Sequence, residues 1–351
     1  MREYIAFDRH KHYTWVEREE VESRRMVQHR LAHAPGAIRG YLAGCERGTA
    51  VAVEATGNWY WIVEEIEQAG MRPLLVHPRK AKRMMGMLNK TDKLDAHGLN
   101  RLQRNGTLPT VWIPPGELRD LRELTRTRLV MTRQRTRLKN RITATLSKYG
   151  VPPSAASDAY AKGARRELEQ RIGRLPHQAR WVTQMLVGQL DFIREQMQPL
   201  ERRLAELVRI TPPMQWLPTL PGIGIILAAT IELEIGDSGR FPSALHLTSY
   251  AGTTPQVHAS GGKVRYGRLR PDVNQYLKWA FVEAANSVAV NHPRCSQRHV
   301  SQLYVRLRER KGHSKAIGAV ARHLAEAAFY VLSRQQPYRD PAREAGCTTE
   351  V

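Results

Sequence analysis

Two short apolar runs in this chain end on a carboxylate and then turn. YIAFD closes on Asp8, and TAVAVEATG carries Val51 and Val53 into Glu54 just before a turn glycine. Apolar runs this short, bounded by turn residues, read as buried strands rather than helices. YTWVERE follows the first run within a few residues, so the two are expected to form a hairpin, with residues 23–30 able to supply a third strand. Residues 36–46 suit a short helix. A longer helix is expected from Asn58 to about Ala69, with a capping-type start and Gly70 as its stop. RPLLVH at 72–77 reads as another strand, and 91–104 as a helix with Thr91 as N-cap. Hairpin strands followed by alternating helix and strand predict an α/β domain with a mixed sheet over residues 1–110.

Pro109, Pro114 and Pro115 mark a linker after that domain, and from Glu117 to Tyr149 the pattern is helical. Leu118, Leu121 and Leu124, then Leu138, Ile142 and Leu146, keep an apolar stripe at helical spacing. GVPPSAASDAYAKG breaks the pattern as a loop. Leu186, Leu190, Ile193, Met197, Leu200, Leu204 and Leu207 then recur at alternating steps of four and three, a heptad seam that predicts a coiled-coil hairpin or an oligomer contact. Pro199 inside the seam either kinks that helix or begins a new one. These stretches define a basic helical segment at 116–210. LPTLPGIGIILAATIELEIG opens a third region, 211–335; its Pro-Gly-x-Gly turn fits either a phosphate-binding helix-hairpin-helix or a plain packing unit. Residues 248–270 read as loop and short strand, 272–334 as helical, and 336–351 as a mobile tail.

Charge narrows the partners. Fifty-five Lys and Arg against 33 Asp and Glu leave +22, an imbalance that favours a polyanion such as nucleic acid. Between Arg119 and Lys148 there are ten Lys or Arg against two acids. Arg119, Arg122, Arg126, Arg128 and Arg133, then Arg135, Arg137, Lys139 and Arg141, are therefore candidate phosphate contacts. No run approaches the roughly 18 apolar residues of a membrane span, so no membrane partner is expected. MREYIAFDRHKHYTW lacks an apolar signal core, and three scattered cysteines give no disulfide framework, which predicts a cytoplasmic setting.

Four acids stand out by position. Asp8 and Glu54 end strands, while Asp92 and Asp95 in NKTDKLDA are three apart and project from one helix face. Such acids can converge, and a converging set needs cations to neutralise it. Magnesium does so in phosphoryl transfer. Taken singly, each acid reads as a turn or first-turn residue.

The strand-end Asp of YIAFD, the strand VAVEATG and the segment NKTDKLDA closely resemble the DEDD, RuvC-like domain of insertion-sequence 110 family transposases. LPTLPGIG, SYAGTTPQ, ASGGKVRYGRLR and LKWAFVEAA extend the resemblance over residues 4–334. It implies a ribonuclease H-like domain, a helical coiled-coil segment and a mainly helical C-terminal transposase domain. It also implies Asp8, Glu54, Asp92 and Asp95 as Mg²⁺ ligands, and Ser260 as the nucleophile that attaches to a DNA 5′ phosphate. Lys263, Arg265, Arg268 and Arg270 would neutralise charge there, with Gly261 and Gly262 giving close backbone approach. Double-stranded donor and target DNA, a structured bridge RNA and a homo-oligomer (dimer or tetramer) are the partners it implies. Where the family commonly continues with a Lys-x-Gly-Asn segment, this chain has RPDVNQYLKWA, which keeps Asn274 and Lys278. Two other readings compete: a RuvC-like endonuclease that hydrolyses DNA with water, and a non-catalytic nucleic-acid binder.

Overall fold

A computed structural model of the chain describes residues 3–86, 92–269 and 272–341, without the side chains of 92–94. The chain divides into two compact units, Met1–Pro114 and Pro115–Val351.

The first unit is built on a five-stranded sheet. β1 (Glu3–Arg9), β2 (Tyr13–Glu20) and β3 (Met26–Ala32) form an antiparallel meander. α1 (Ala37–Leu42) leads to β4 (Ala50–Glu54), which pairs in parallel with β1. α2 (Trp59–Gln68) crosses to β5 (Arg72–Val76), parallel to β4, giving the order β3-β2-β1-β4-β5. α3 (Pro78–Met85) and α4 (Asp92–Arg104) complete the unit. Alternation in the strands sorts side chains between two cores. Ile5, Phe7, Val51 and Val53 pack with Ile38, Ile62 and Ile66, on the α1/α2 face. Ala6, Ala52 and Val76 pack with Ala81, Leu99 and Leu102, on the α3/α4 face.

Several expectations change here. The third strand starts at Met26 rather than at 23, and α3 was not anticipated. Asn58 occupies the N-cap of α2, yet its side chain makes no capping bond. The unit reaches Pro114 rather than 110, because the expected linker pairs with the edge of β5: Thr110 bridges Val76, and Val111 N donates to Leu75 O at 2.7 Å. Covering the outer strand this way removes an exposed edge.

The second unit opens with α5 (Gly116–Lys148), α6 (Arg165–Gly173) and α7 (His177–Ile210). α5 and α7 pack antiparallel. Leu118, Leu121 and Leu124 meet Leu200, Leu204 and Val208 at one end; Leu138, Ile142 and Leu146 meet Leu186, Val187 and Leu190 at the other. Most of the apolar seam is thus consumed inside the chain. α7 runs unbroken through Pro199, so no new helix begins there; the lost backbone bond falls on an exposed position.

α8 (Pro212–Trp216), α9 (Ile225–Ile235) and α10 (Ala244–Tyr250) follow, then β6 (Pro255–Ser260), β7 (Lys263–Leu269), α11 (Gln275–Asn291), α12 (His299–Lys311) and α13 (His313–Arg334). Leu233 and Ala229 of α9 enter the α5–α7 core, so residues 116–210 and 211–335 share one unit instead of separating at 210. Gly222 of the Pro-Gly-x-Gly turn is pressed against α11, where a Cβ would stand 2.3 Å from Ala284 O. That contact favours the packing reading of the turn. The tail expected to be mobile from 336 is docked as far as it is described: Tyr338 packs on the helical core and its N–H donates to Thr219 Oγ1 at 2.8 Å. No helix among the described residues is long and apolar enough to cross a membrane.

Candidate active site

Asp8 and Glu54 meet at the end of the sheet. Phe7 is the register partner of Val53, so the next residues on these parallel strands, Asp8 and Glu54, lie side by side about 5 Å apart in backbone. Ala6 and Ala52 face the α3/α4 core, and two-residue alternation places Asp8 and Glu54 on that same face. Asp8 is buried, and His10 Nε2 lies 3.0 Å from its Oδ2 while the ring stacks on Tyr13. Arg9 ties the two strand ends together, donating to Thr56 Oγ1 from Nε and Nη2 and to His10 O from Nη1. Gly57, at φ +29°, leaves room for that guanidinium.

α4 lies across this face, held by polar contacts to β2 that the sequence reading missed. Glu17 is fully buried and is met by Gln28 Nε2 (2.7 Å), His97 Nδ1 (3.0 Å) and Asn100 Nδ2 (3.3 Å). Arg104 donates to Glu19 at 2.8 Å. Glu19 and Glu17 pair with Tyr4 and Ala6, so α4 runs antiparallel to β1. From Ala6 to Asp8 is about 6.6 Å of strand, or about four residues of helix before His97. The first turn of α4, where Asp92 and Asp95 begin the helix, therefore stands at the level of Asp8. The signal available in the sequence was the inward alternation of Glu17 and Glu19, matched by polar residues at 97, 100 and 104 on one helix stripe. Thr91 and the side chain of Asp92 lie outside the described residues. Among those described, no three His, Cys, Asp or Glu side chains form a set that could hold one metal ion. Asp8 and Glu54 do supply adjacent hard oxygen donors, the kind magnesium takes.

Ser260 lies in the second unit, at the tip of the β6–β7 hairpin. Gly261 and Gly262 have φ of +55° and +75°, the left-handed pair that a two-residue turn of this type requires. Ser260 faces Lys263 across the turn, and His258 faces Arg265. Side-chain alternation puts these four on one face and Val257, Ala259, Val264 and Tyr266 on the other. That second face is open: Val257 is 58%, Val264 55% and Tyr266 72% exposed. Arg268 lies beyond a register shift in the ladder, and Arg270 outside the described residues.

The base of the hairpin is anchored to a buried charge. Asn274 caps α11 by accepting from Tyr276 N and Leu277 N, and its Nδ2 donates to Glu234 Oε2 (2.8 Å) and to the Tyr250 hydroxyl (3.2 Å). Glu234 is fully buried and takes two bonds from Arg126, 2.8 and 3.1 Å. Arg122 donates to the carbonyls of Leu233 (2.7 Å) and Glu234 (2.9 Å) at the C-terminal end of α9.

The candidate phosphate contacts on α5 divide accordingly. Arg119 and Arg122 are buried, so neither can meet a phosphate. Arg126 is paired with Glu234, Arg128 with Glu201 on α7, and Lys139 with Asp158. Arg135 is half-buried, and burial pushes its guanidinium below the usual value. Arg133, Arg137 and Arg141 are exposed at steps of four, a single stripe on the helix surface. His246, in the first turn of α10, lies 2.9 Å by its Nδ1 from the hydroxyl of the N-cap Ser243, and His258 leans over Gly267.

Residues 6–151 match the DEDD transposase family of IS110 elements, and residues 214–301 match the family described as Transposase IS116/IS110/IS902. The chain is similar to the transposase for insertion sequence element IS1111A of Coxiella burnetii, at 25% identity over 300 residues, covering 82% of this chain and 79% of the relative. It is similar to the pilin gene-inverting protein of Moraxella bovis at 25% identity over 299 residues, covering 82% and 80%. The transposase for insertion sequence element IS1328 of Yersinia enterocolitica is 23% identical over 245 residues, covering 70% and 72%. The chain belongs to the IS116/IS110/IS902 family of transposases, enzymes that cleave and rejoin DNA.

Proposed function

We propose that this transposase moves an insertion sequence by cutting DNA with Mg²⁺ held by Asp8, Glu54, Asp92 and Asp95, and by carrying the cut strand on Ser260. The observation that supports it most is the pairing of Asp8 and Glu54 on one face at adjacent parallel strand ends, level with the first turn of α4. Bound there, the metal would neutralise a phosphate and lower the cost of charge on the oxygens exchanged. Arg9 holds the two strand ends in register, and the Glu17–His97–Asn100 contacts fix the depth of α4. Ser260 Oγ bonds to the phosphorus as the bond to the 3′ oxygen breaks; the serine proton is lost and the departing 3′ oxygen gains one. A second 3′ hydroxyl then attacks the phosphoserine, restoring a phosphodiester and the serine hydroxyl. One phosphoester replaces another at each step, so no external energy source is required. Lys263 and Arg265 share the serine face and neutralise the phosphate.

The reading extends to partners. Donor and target duplexes are the DNA substrates, and a bridge RNA would select them, with the Arg133, Arg137 and Arg141 stripe available to phosphates of either. Trp181, Met185 and Phe192 form an exposed apolar stripe on α7 that suits a homo-oligomer contact.

A denaturing gel tests the reaction. Wild-type protein with Mg²⁺ and donor DNA should yield a covalent protein–DNA adduct, absent in Ser260→Ala and in Asp8→Asn. An adduct surviving Ser260→Ala sinks the nucleophile assignment. Cleavage without any adduct would identify a nuclease that uses water, and indifference of DNA to the wild-type protein would leave only a binding role.

A further inference from the structure

The cations of α5 are largely engaged within the fold, whereas those around α12 are not. Arg298 precedes this helix, Arg306, Arg308, Arg310 and Lys311 lie on it, and Lys315 follows; all six are exposed. Among the described residues none of the six makes an ion pair, and Glu309 is the single acid between positions 292 and 325. Arg308 has a ring contact with Tyr304 at 5.6 Å. We propose that this surface holds duplex DNA by its phosphate backbone, as a grip separate from the Ser260 hairpin and the α5 stripe.

Three arguments favour that partner. A helix C-terminus attracts cations, which accounts for Arg308, Arg310 and Lys311 but not for Arg298, Arg306 or Lys315. No large apolar side chain is exposed between 291 and 329, so neither a membrane nor a protein interface of ordinary composition fits the patch. A helix of 13 residues spans about 20 Å, over which duplex DNA presents about 12 phosphate charges. Five of the six cations lie beyond residue 301, where the match to the IS116/IS110/IS902 family ends.

The test is duplex-DNA affinity of the full chain from about 0.05 to 0.2 M salt. Arg306→Gln/Arg310→Gln should reduce the slope of log affinity against log salt by about 1.8, so wild-type affinity falls about 12-fold further than the variant's over that range. Arg306→Lys/Arg310→Lys should restore the wild-type slope. Arg166→Gln/Arg174→Gln, an equal loss of exposed charge on α6 and its C-cap, should leave the slope unchanged. An unaltered slope in the α12 variant, an equal change in the α6 control, or weakened binding to structured RNA with duplex binding intact would each overturn the proposal. None of these readings depends on cleavage.

Discussion

Replacing Arg126 with methionine separates two roles that a basic helix can have. Arg126 donates twice to Glu234, a carboxylate with no exposure to solvent, and its guanidinium lies 4.6 Å from the Tyr276 ring. Removing one partner of a buried ion pair leaves charge without compensation, which costs about 3–5 kcal/mol. Asn274 still donates to Glu234 and Arg122 Nε stands 3.7 Å away, so the lower end of that range applies first. In a unit of this size each kcal/mol lowers the melting temperature by roughly 2–4 °C, giving a drop of about 6–12 °C. Arg133→Met, at an exposed position on the same helix, should shift stability by no more than about 0.5 kcal/mol. Urea unfolding supplies the free energies, and the double variant Arg126→Met/Glu234→Gln should recover part of the loss, since the orphaned charge is gone. If Arg126→Met melts like wild type while its DNA affinity and salt slope fall, Arg126 is a phosphate ligand and the structural account is refuted.

Two further outcomes follow from the same unit. Burial, aided by Asp237, pushes the Glu232 carboxyl up to about 7, and its Oε2 is buried without a hydrogen bond among the described residues. The folded state then keeps a proton that the unfolded chain releases nearer the ordinary value of about 4.5, so stability declines as pH rises through about 4.5 to 7. Glu232→Gln should therefore gain about 1–3 kcal/mol over wild type near pH 8 and little near pH 5; a difference constant with pH would refute the assignment. Gly222→Ala must add a Cβ 2.3 Å from Ala284 O at a φ of +79°, so thermal unfolding should show a loss of at least about 2 kcal/mol.

The strand ends were legible because their chemistry is local. An apolar run, a terminal acid and a turn suffice to place Asp8 and Glu54, and period-two alternation then assigns them a face. The fate of the α5 arginines was not legible, because their partners come from far along the chain: Glu201 and Glu234 are brought to Arg128 and Arg126 only when α7 and α9 pack on α5. Net charge counts cations without saying which are enclosed. Glu17 shows the same limit in the first unit. Alternation points it inward, but the reason a carboxylate is tolerated there is His97 and Asn100, some 80 residues away in sequence. Short helices such as α3 and α6 escaped for a different reason: fewer than three turns carry too few apolar positions to define a period.

The hairpin carrying Ser260 raises a sharper question about when its chemistry can begin. A two-stranded ribbon is marginal on its own, and this one exposes both its apolar face and its polar face. What orders it lies at its base, where Gly252 packs against Val273 and Asn274 joins Tyr250 and Glu234. At the tip, the Ser260 hydroxyl makes no hydrogen bond to any described side chain, His258 on its own face included, and residues 255–269 contain no carboxylate to take its proton. A serine hydroxyl without a base or a metal is a weak nucleophile. On the proposed mechanism, then, Lys263 and Arg265 can draw a phosphate to the tip, but activation must arrive with another group, such as the carboxylate-held metal. On that mechanism a serine that depends on a supplied activator would stay unreactive until the activator is present, which suits a reaction whose cleaved intermediates must be rejoined.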